Sequence, residues 1–298
     1  MAESEGFFNG ILSDRVSGSV QLLEKMLYRV EELILLPAPP SREKLAHELV
    51  NLFFKLPGFA VVYHAVNFFL SLISKNLTNE EVARALRDYR DHWENAQNSI
   101  ALHTARLATG NGFSRILLHS HSGTLIAGCR EIIKTGRQTT FFQTISEPGG
   151  EGRLQLETLK SSGASVQLIP DIPDDAIWAS IEVVLTGADV LTPDLWINKT
   201  GTRLLAESAH QRNIPVVILA DSRKWINPEE LPARICNKLL DSFFDKEEHP
   251  GIRNPLFEAT PAGYATAWIN ETGNFEGVNQ FGVPDTWQRP NQEWSRFL

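Results

Sequence analysis

The sequence predicts an α/β protein in two parts: a helical domain over residues 1–110, then a Rossmann-like parallel-sheet domain over residues 111–298. Three observations carry this. Apolar residues in the first part recur at helical spacing. After Gly112, short apolar runs alternate with helical stretches. Those runs are continuously apolar rather than alternating, as strands covered on both faces of a parallel sheet require.

In the first part, Val20, Leu23, Leu27, Val30 and Ile34 form one stripe of a helix opening near Ser17. Pro37, Pro39 and Pro40 break it, and Ser41 is placed to cap a second helix carrying Leu45, Leu49, Leu52 and Phe53. Pro57 and Gly58 close that helix. Residues 59–73 are the most apolar stretch; they are too short for a membrane span and carry His64 and Asn67, so a buried helix is expected. Thr78 and Glu81 form a capping box that opens a helix of about 30 residues, roughly 45 Å long at 1.5 Å per residue. It ends at the Gly110-Asn111-Gly112 turn.

In the second part, RILLH, TTFFQTI, SVQLI, IEVVLTG and PVVILA read as strands. Helical stretches lie at residues 125–134, 154–162 and 203–212, with Gly163 and the Asn213-Pro215 turn as stop signals. Residues 279–298, with Trp287 and Trp294, read as an irregular C-terminal extension.

Composition narrows the function classes. The 298 residues are 42% apolar, enough for a sizeable core, and the net charge is −8. That balance argues against a general nucleic-acid or anionic-membrane surface. Cys129 and Cys236, the two cysteines, show neither CxxC nor metal-ligand spacing and fit a reducing compartment. The acidic N-terminus MAESEGFFNG has neither the basic flank nor the apolar core of a signal peptide, so a cytoplasmic protein is expected.

Ligands of open parallel sheets bind beyond the carboxyl ends of the strands, and the polar clusters lie there. They are HSHSGT from His119, TISEPGGEGR from Thr144, TGAD from Thr186 followed by PDLWINKTGT, and ADSRKW from Ala220. Ser122, Gly123 and Thr124 can offer hydroxyls and helix-start amides to an oxyanion, as can Gly149 and Gly150 with Arg153 beside them. Lys199 and Lys224 supply point charges, Asn198 an amide, and Asp189 is the carboxylate placed to act as a base. Each loop alone is equally explained by tight turns and helix caps; four at matching strand ends favour one ligand crevice. No GxSxG, GxGxxG or GxxxxGK[ST] pattern occurs in these loops. His119 and His121 alternate along an extended backbone, which suits hydrogen-bonded structural roles better than joint metal ligation. No metal and no cofactor is expected.

ILLHSHSGT, SEPGGEGR, LTGADVLTPDLWINKTGT and LADSRKW, in this order, resemble the family of initiation factor 2B α/β/δ subunits. That family also holds methylthioribose-1-phosphate isomerase and ribose-1,5-bisphosphate isomerase. NPLFEATP, DRVSGS and LPGFAVVYHAVN extend the resemblance. It implies a fold like that of ribose-5-phosphate isomerases, deaminating sugar-phosphate isomerases and CoA transferases, a dimer through the second domain, and a sugar-phosphate pocket. In the isomerases, a first-loop cysteine and the GAD aspartate share the proton transfers. Asp189 matches the aspartate, and Asn198 and Lys199 match the substrate-binding pair. Two positions depart. Ser120 stands at the cysteine, and a hydroxyl is a far weaker acid than a thiol with a pKa of about 8.5; it needs a partner, for which His119 and His121 are candidates. Glu147 stands where the isomerases usually carry arginine, which puts like charge near a phosphate unless it turns away.

The leading expectation is therefore a factor-like protein without isomerase activity, holding a sugar-phosphate or nucleotide-phosphate pocket and acting in regulation. A translation-factor partner follows from the family alone. The alternative is an active aldose-ketose isomerase using Asp189 and Ser120.

Overall fold

The computed structural model describes residues 6–14, 17–73, 75–241, 255–276 and 292–297. The expectations for Arg15 and Val16 in DRVSGS, Asn254 in NPLFEATP and the tail before Gln292 lie outside these residues. Two compact units emerge. One gathers the chain up to Glu94, the segment from Ile226 and the C-terminal 3-10 helix Gln292–Arg296. The other gathers Asn95–Trp225 with the strands that follow residue 255. The division falls inside the long helix rather than at its end.

The helical unit contains α1 (Asn9–Leu12), α2 (Ser19–Ile34), α3 (Arg42–Lys55), α4 (Ala60–Ile73) and the first part of α5 (Asn79–Gly110). The expected stripe of α2 is buried at Leu23, Leu27, Val30 and Ile34, with Val20 half-buried. Ser41 caps α3 by accepting the Lys44 N–H at 3.2 Å. The capping box of α5 is reciprocal: Glu81 N–H donates to Thr78 Oγ1 at 3.2 Å, and Thr78 N–H donates to Glu81 Oε2 at 2.7 Å. Nearly every side chain of α4 is buried, which explains its apolar sequence without a bilayer. No helix among the described residues is long and apolar enough to cross a membrane. Trp294, from the far end of the chain, stacks on Tyr63 at 5.5 Å and donates from Nε1 to Asn67 Oδ1 at 2.9 Å.

The second unit is built on β1 (Arg115–Leu118), α6 (Gly123–Lys134), β2 (Thr140–Thr144), α7 (Gly152–Ser161), β3 (Ser165–Ile169), α8 (Asp175–Trp178) and β4 (Val183–Thr186). It continues through β5 (Val190–Leu191), β6 (Leu195–Lys199), α9 (Thr202–Gln211), β7 (Val216–Leu219), β8 (Phe257–Pro261), β9 (Ala267–Asn270) and β10 (Gly273–Glu276). A seven-stranded sheet has the order β10-β9-β7-β4-β1-β2-β3, and only β10 is antiparallel to its neighbour. Alternate residues feed two separate cores. Ile116, Leu118, Val183, Leu185, Val217 and Leu219 enter one; Leu117, Val184, Val216 and Ile218 enter the other. Burial on both faces is why these strands read as unbroken apolar runs. The exception is β3 at the sheet edge, where Leu168 is exposed.

PDLWINKTGT, expected as a loop, contains β6, the centre of a small antiparallel sheet ordered β5-β6-β8. Residues 257–276 supply three strands to the two sheets that periodicity did not indicate.

Candidate functional site

From β1 the chain winds outward through β2 to β3, then returns to lay β4 on the other side of β1. The strand order therefore reverses between β1 and β4, and the crevice beyond their carboxyl ends is where such sheets bind ligands. The loop after β1 flanks one side of it. Ser122 caps α6, accepting the Leu125 N–H at 3.3 Å. Its own N–H donates to Gln155 Oε1 at 2.8 Å; Gln155 Nε2 donates to Gln143 Oε1 at 2.7 Å; Gln143 Nε2 donates to the Ser120 carbonyl at 3.1 Å. This closed amide circuit ties the loop to β2 and α7. Alpha-7 can start so close to β2 only because Gly152 has no side chain: a Cβ there would lie 1.9 Å from the Thr144 carbonyl oxygen. Across the crevice, a Cβ on Gly187 would lie 3.5 Å from Ser122 Oγ and 3.9 Å from Asn198 Oδ1.

His119 is buried beneath the loop. Its Nε2 lies 2.9 Å from the Thr200 carbonyl and its Nδ1 2.7 Å from Thr144 Oγ1. A carbonyl only accepts, so Nε2 carries the proton and Nδ1 accepts from Thr144. With its own proton given to His119, Thr144 Oγ1 accepts a hydrogen bond from the Ser146 hydroxyl at 2.9 Å, and Ser146 Oγ accepts the Ser120 N–H at 2.8 Å. Burial pushes the imidazole down to about 4, against hydrogen bonding to Thr200, which favours the charged form. The ring is a neutral strut, packed where a Gly201 Cβ would sit 2.9 Å from its Cε1. His121 is likewise pushed down by burial, opposed by the nearby Glu151 charge.

The expected cations are already matched by carboxylates. Lys199 Nζ, on a side chain 4% exposed, meets Glu151 at 2.8 Å and the Pro148 carbonyl. Lys224 Nζ lies 3.3 Å from Asp189 Oδ1, with the lysine buried and the aspartate mostly so. Arg153 reaches Glu147 at 3.3 Å, both exposed. Beneath Lys224, Arg223 donates from Nε and Nη2 to the two oxygens of Asp221, each at 2.9 Å. Burial would raise the Asp221 carboxyl, but the charge and hydrogen bonds of Arg223, with the charge of Lys224, bring it below the usual range. Gln97 of α5 links this pair to α6: the Thr124 hydroxyl donates to Gln97 Oε1 at 2.7 Å, and Gln97 Nε2 donates to Asp221 Oδ2 at 2.7 Å.

The sequence-predicted residues thus fall into groups. Ser120, Gly149 and Lys199 meet at Glu151: the Ser120 hydroxyl donates to its Oε1 at 3.3 Å, and a Cβ on Gly149 would lie 2.9 Å from its Oε2. Ser122 and Asn198 face the space over Gly187, with Asn198 Nδ2 held at 3.0 Å by both Thr186 and Thr202 hydroxyls. Gly123 and Thr124 form the first turn of α6. Asp189 and Lys224 pair with each other, while the exposed Arg153 and Glu147 pair beside the buried Gly150. One expectation needs correction: neither histidine is the hydrogen-bond partner of the Ser120 hydroxyl; Glu151 is. Glu147, whose direction the sequence left open, is exposed and pairs with Arg153, and the carboxylate set against Lys199 is Glu151. Sequence reasoning also missed Gln97, Gln143, Gln155 and Asp221; the one signal was the paired glycines, whose reversal of the chain returns Glu151 toward β6. Among the described residues, no group of three or more His, Cys, Asp or Glu side chains could hold a metal ion.

Residues 20–277 match the Initiation factor 2 subunit family. The chain belongs to that family. Ribose 1,5-bisphosphate isomerase of Archaeoglobus fulgidus is 24% identical to it over 278 residues, covering 88% of this chain and 86% of that protein. A Pyrococcus horikoshii protein called translation initiation factor eIF-2B subunit 2-like is 27% identical over 222 residues, covering 73% and 75%. A crystal structure of Pyrococcus horikoshii translation initiation factor eIF-2B shares the fold, with a TM-score of 0.77 at 22% identity over 93% of this chain and 98% of that one. The family thus joins isomerases and translation factors, and the parallel sheet with its helical N-terminal region is common ground.

Proposed function

We propose that this protein is a factor-like, non-isomerase member of the family whose crevice binds a monophosphorylated sugar or nucleotide in a regulatory role. One observation carries the reading: the two buried lysines, Lys199 and Lys224, each already face a carboxylate, Glu151 and Asp189. A sugar bisphosphate brings about four negative charges and needs cations that are not yet neutralised. The first turn of α6, with the Ser122 cap and the amides of Gly123 and Thr124, suits a single phosphate at the positive end of a helix dipole. Ser120 lacks the acidity for proton transfer, and Asp189 is engaged by Lys224. Family membership supports a translation-related partner, and the resemblance set out above supports a homodimer, which light scattering reads directly. Cys129 is a buried free thiol, in keeping with the cytoplasm.

A second reading, an aldose-phosphate isomerase, is favoured by Asp189 standing at the end of β4 beside the switch point, and by the likeness to the Archaeoglobus enzyme. The test is an isomerase assay on ribose 1,5-bisphosphate and methylthioribose 1-phosphate beside a thermal-shift screen of sugar and nucleoside monophosphates. The proposal expects no turnover and a stabilising monophosphate, by about 2.7 kcal/mol at a hundred times its Kd. Turnover of either substrate by the wild type overturns it; turnover gained only by Ser120→Cys identifies a silenced isomerase and supports it.

A further inference from the structure

Glu151 occupies an unusual place for a residue at the start of a helix. It is the N-cap of α7, where a side-chain oxygen ordinarily accepts an amide of the first turn, yet its carboxylate makes no such bond. It points into the crevice instead. Lys199 lies at 2.8 Å, and the Ser120 hydroxyl donates to it at 3.3 Å. Gly149 and Gly150, at φ +106° and +66°, turn the chain back to bring it there. Lys199 is 4% exposed and fixed by the Pro148 carbonyl, whereas the Glu151 side chain is 28% exposed. Lys199 cannot swing out to a second anion, so an anion approaching it must displace the carboxylate.

We propose that Glu151 is a specificity-determining residue: its carboxylate holds the position against Lys199 and Ser120 that a ligand's anionic group would take, so this end of the crevice accepts an uncharged hydroxyl or carbonyl and turns away a phosphate dianion. This rests on the reading that the crevice binds a ligand, and it adds that the single phosphate must lie away from Lys199. Removing the carboxylate leaves a buried ammonium and a hydroxyl donor facing an open position, the elements of an anion site.

Isothermal titration of the full chain with inorganic phosphate tests this on wild type, Glu151→Gln, Glu151→Ala and the double variant Glu151→Gln/Lys199→Met. Both single variants are expected to bind phosphate at least tenfold more tightly than wild type, or to gain one further site, and the double variant to lose that gain. Equal phosphate affinity in wild type and both single variants overturns the proposal. So does a gain that survives loss of Lys199. Ribose 5-phosphate and the nucleoside monophosphates titrated into wild type read the functional proposal separately: failure of all of them to bind, with the phosphate gain intact, overturns that reading and leaves this one standing.

Discussion

Asp221 and Glu151 each hold a buried cation at the end of a parallel strand, and their surroundings differ. Asp221 is fully enclosed, grips the Arg223 guanidinium through two parallel bonds, and accepts two more from Gln97 and the Arg223 N–H. Glu151 meets Lys199 with one face and keeps part of its surface open. A fully enclosed pair with every lone pair engaged is part of the fold, because removing one partner strands an uncompensated charge. A pair with one open face can exchange its anion for another. The same charge chemistry serves anchoring at β7 and selection at β2.

The sharpest way to break this comparison is Asp221→Ala. It leaves Arg223 buried without its carboxylate and should cost about 3–5 kcal/mol of unfolding free energy in urea. A cost under about 1 kcal/mol would make the two pairs equivalent.

Acid separates the anchoring groups next. His119 is neutral in the folded protein, with its pKa lowered from 6.5 to about 4. Between those values the unfolded chain binds more protons, so this contribution is fully present above pH 6.5 and lost as pH falls toward 4. At about 1.4 kcal/mol per unit it amounts to about 3 kcal/mol. Asp221, lowered below the usual carboxylate range, adds a loss at still lower pH, through its folded pKa. Urea unfolding across pH 7 to 4 should show the first slope, and His119→Gln should flatten it; a wild type with no slope there contradicts the buried neutral ring.

Glu151→Gln should change stability by about 1 kcal/mol or less, since the lysine keeps the Pro148 carbonyl and gains an amide oxygen. A loss as large as that of Asp221→Ala would place Glu151 with the anchors. Arg153→Ala, breaking an exposed pair, should stay within about 0.5 kcal/mol by thermal melting.

Much of the frame was legible because it rests on local chemistry. The Thr78–Glu81 box, the Ser41 cap and the unbroken apolar strands each state their structure within a few residues. What periodicity could not carry was long-range pairing. Beta-6 reads as a polar loop because Asn198 and Lys199 interrupt it, and its partner β8 lies far along the chain. Trp294 finds Asn67 across most of the sequence. The strand-end loops were legible as a crevice, yet the charge that faces Lys199 depends on a glycine turn whose direction only coordinates reveal. Glu147 and Glu151 are alike in sequence, and the turn between them decides which one faces the crevice.

A crevice that neutralises its own cations prefers a weakly charged ligand. Isothermal titration of ribose 5-phosphate and ribose 1,5-bisphosphate into the wild-type protein tests it most directly. The monophosphate is expected to bind at least tenfold more tightly; tighter binding of the bisphosphate would contradict a self-neutralised crevice.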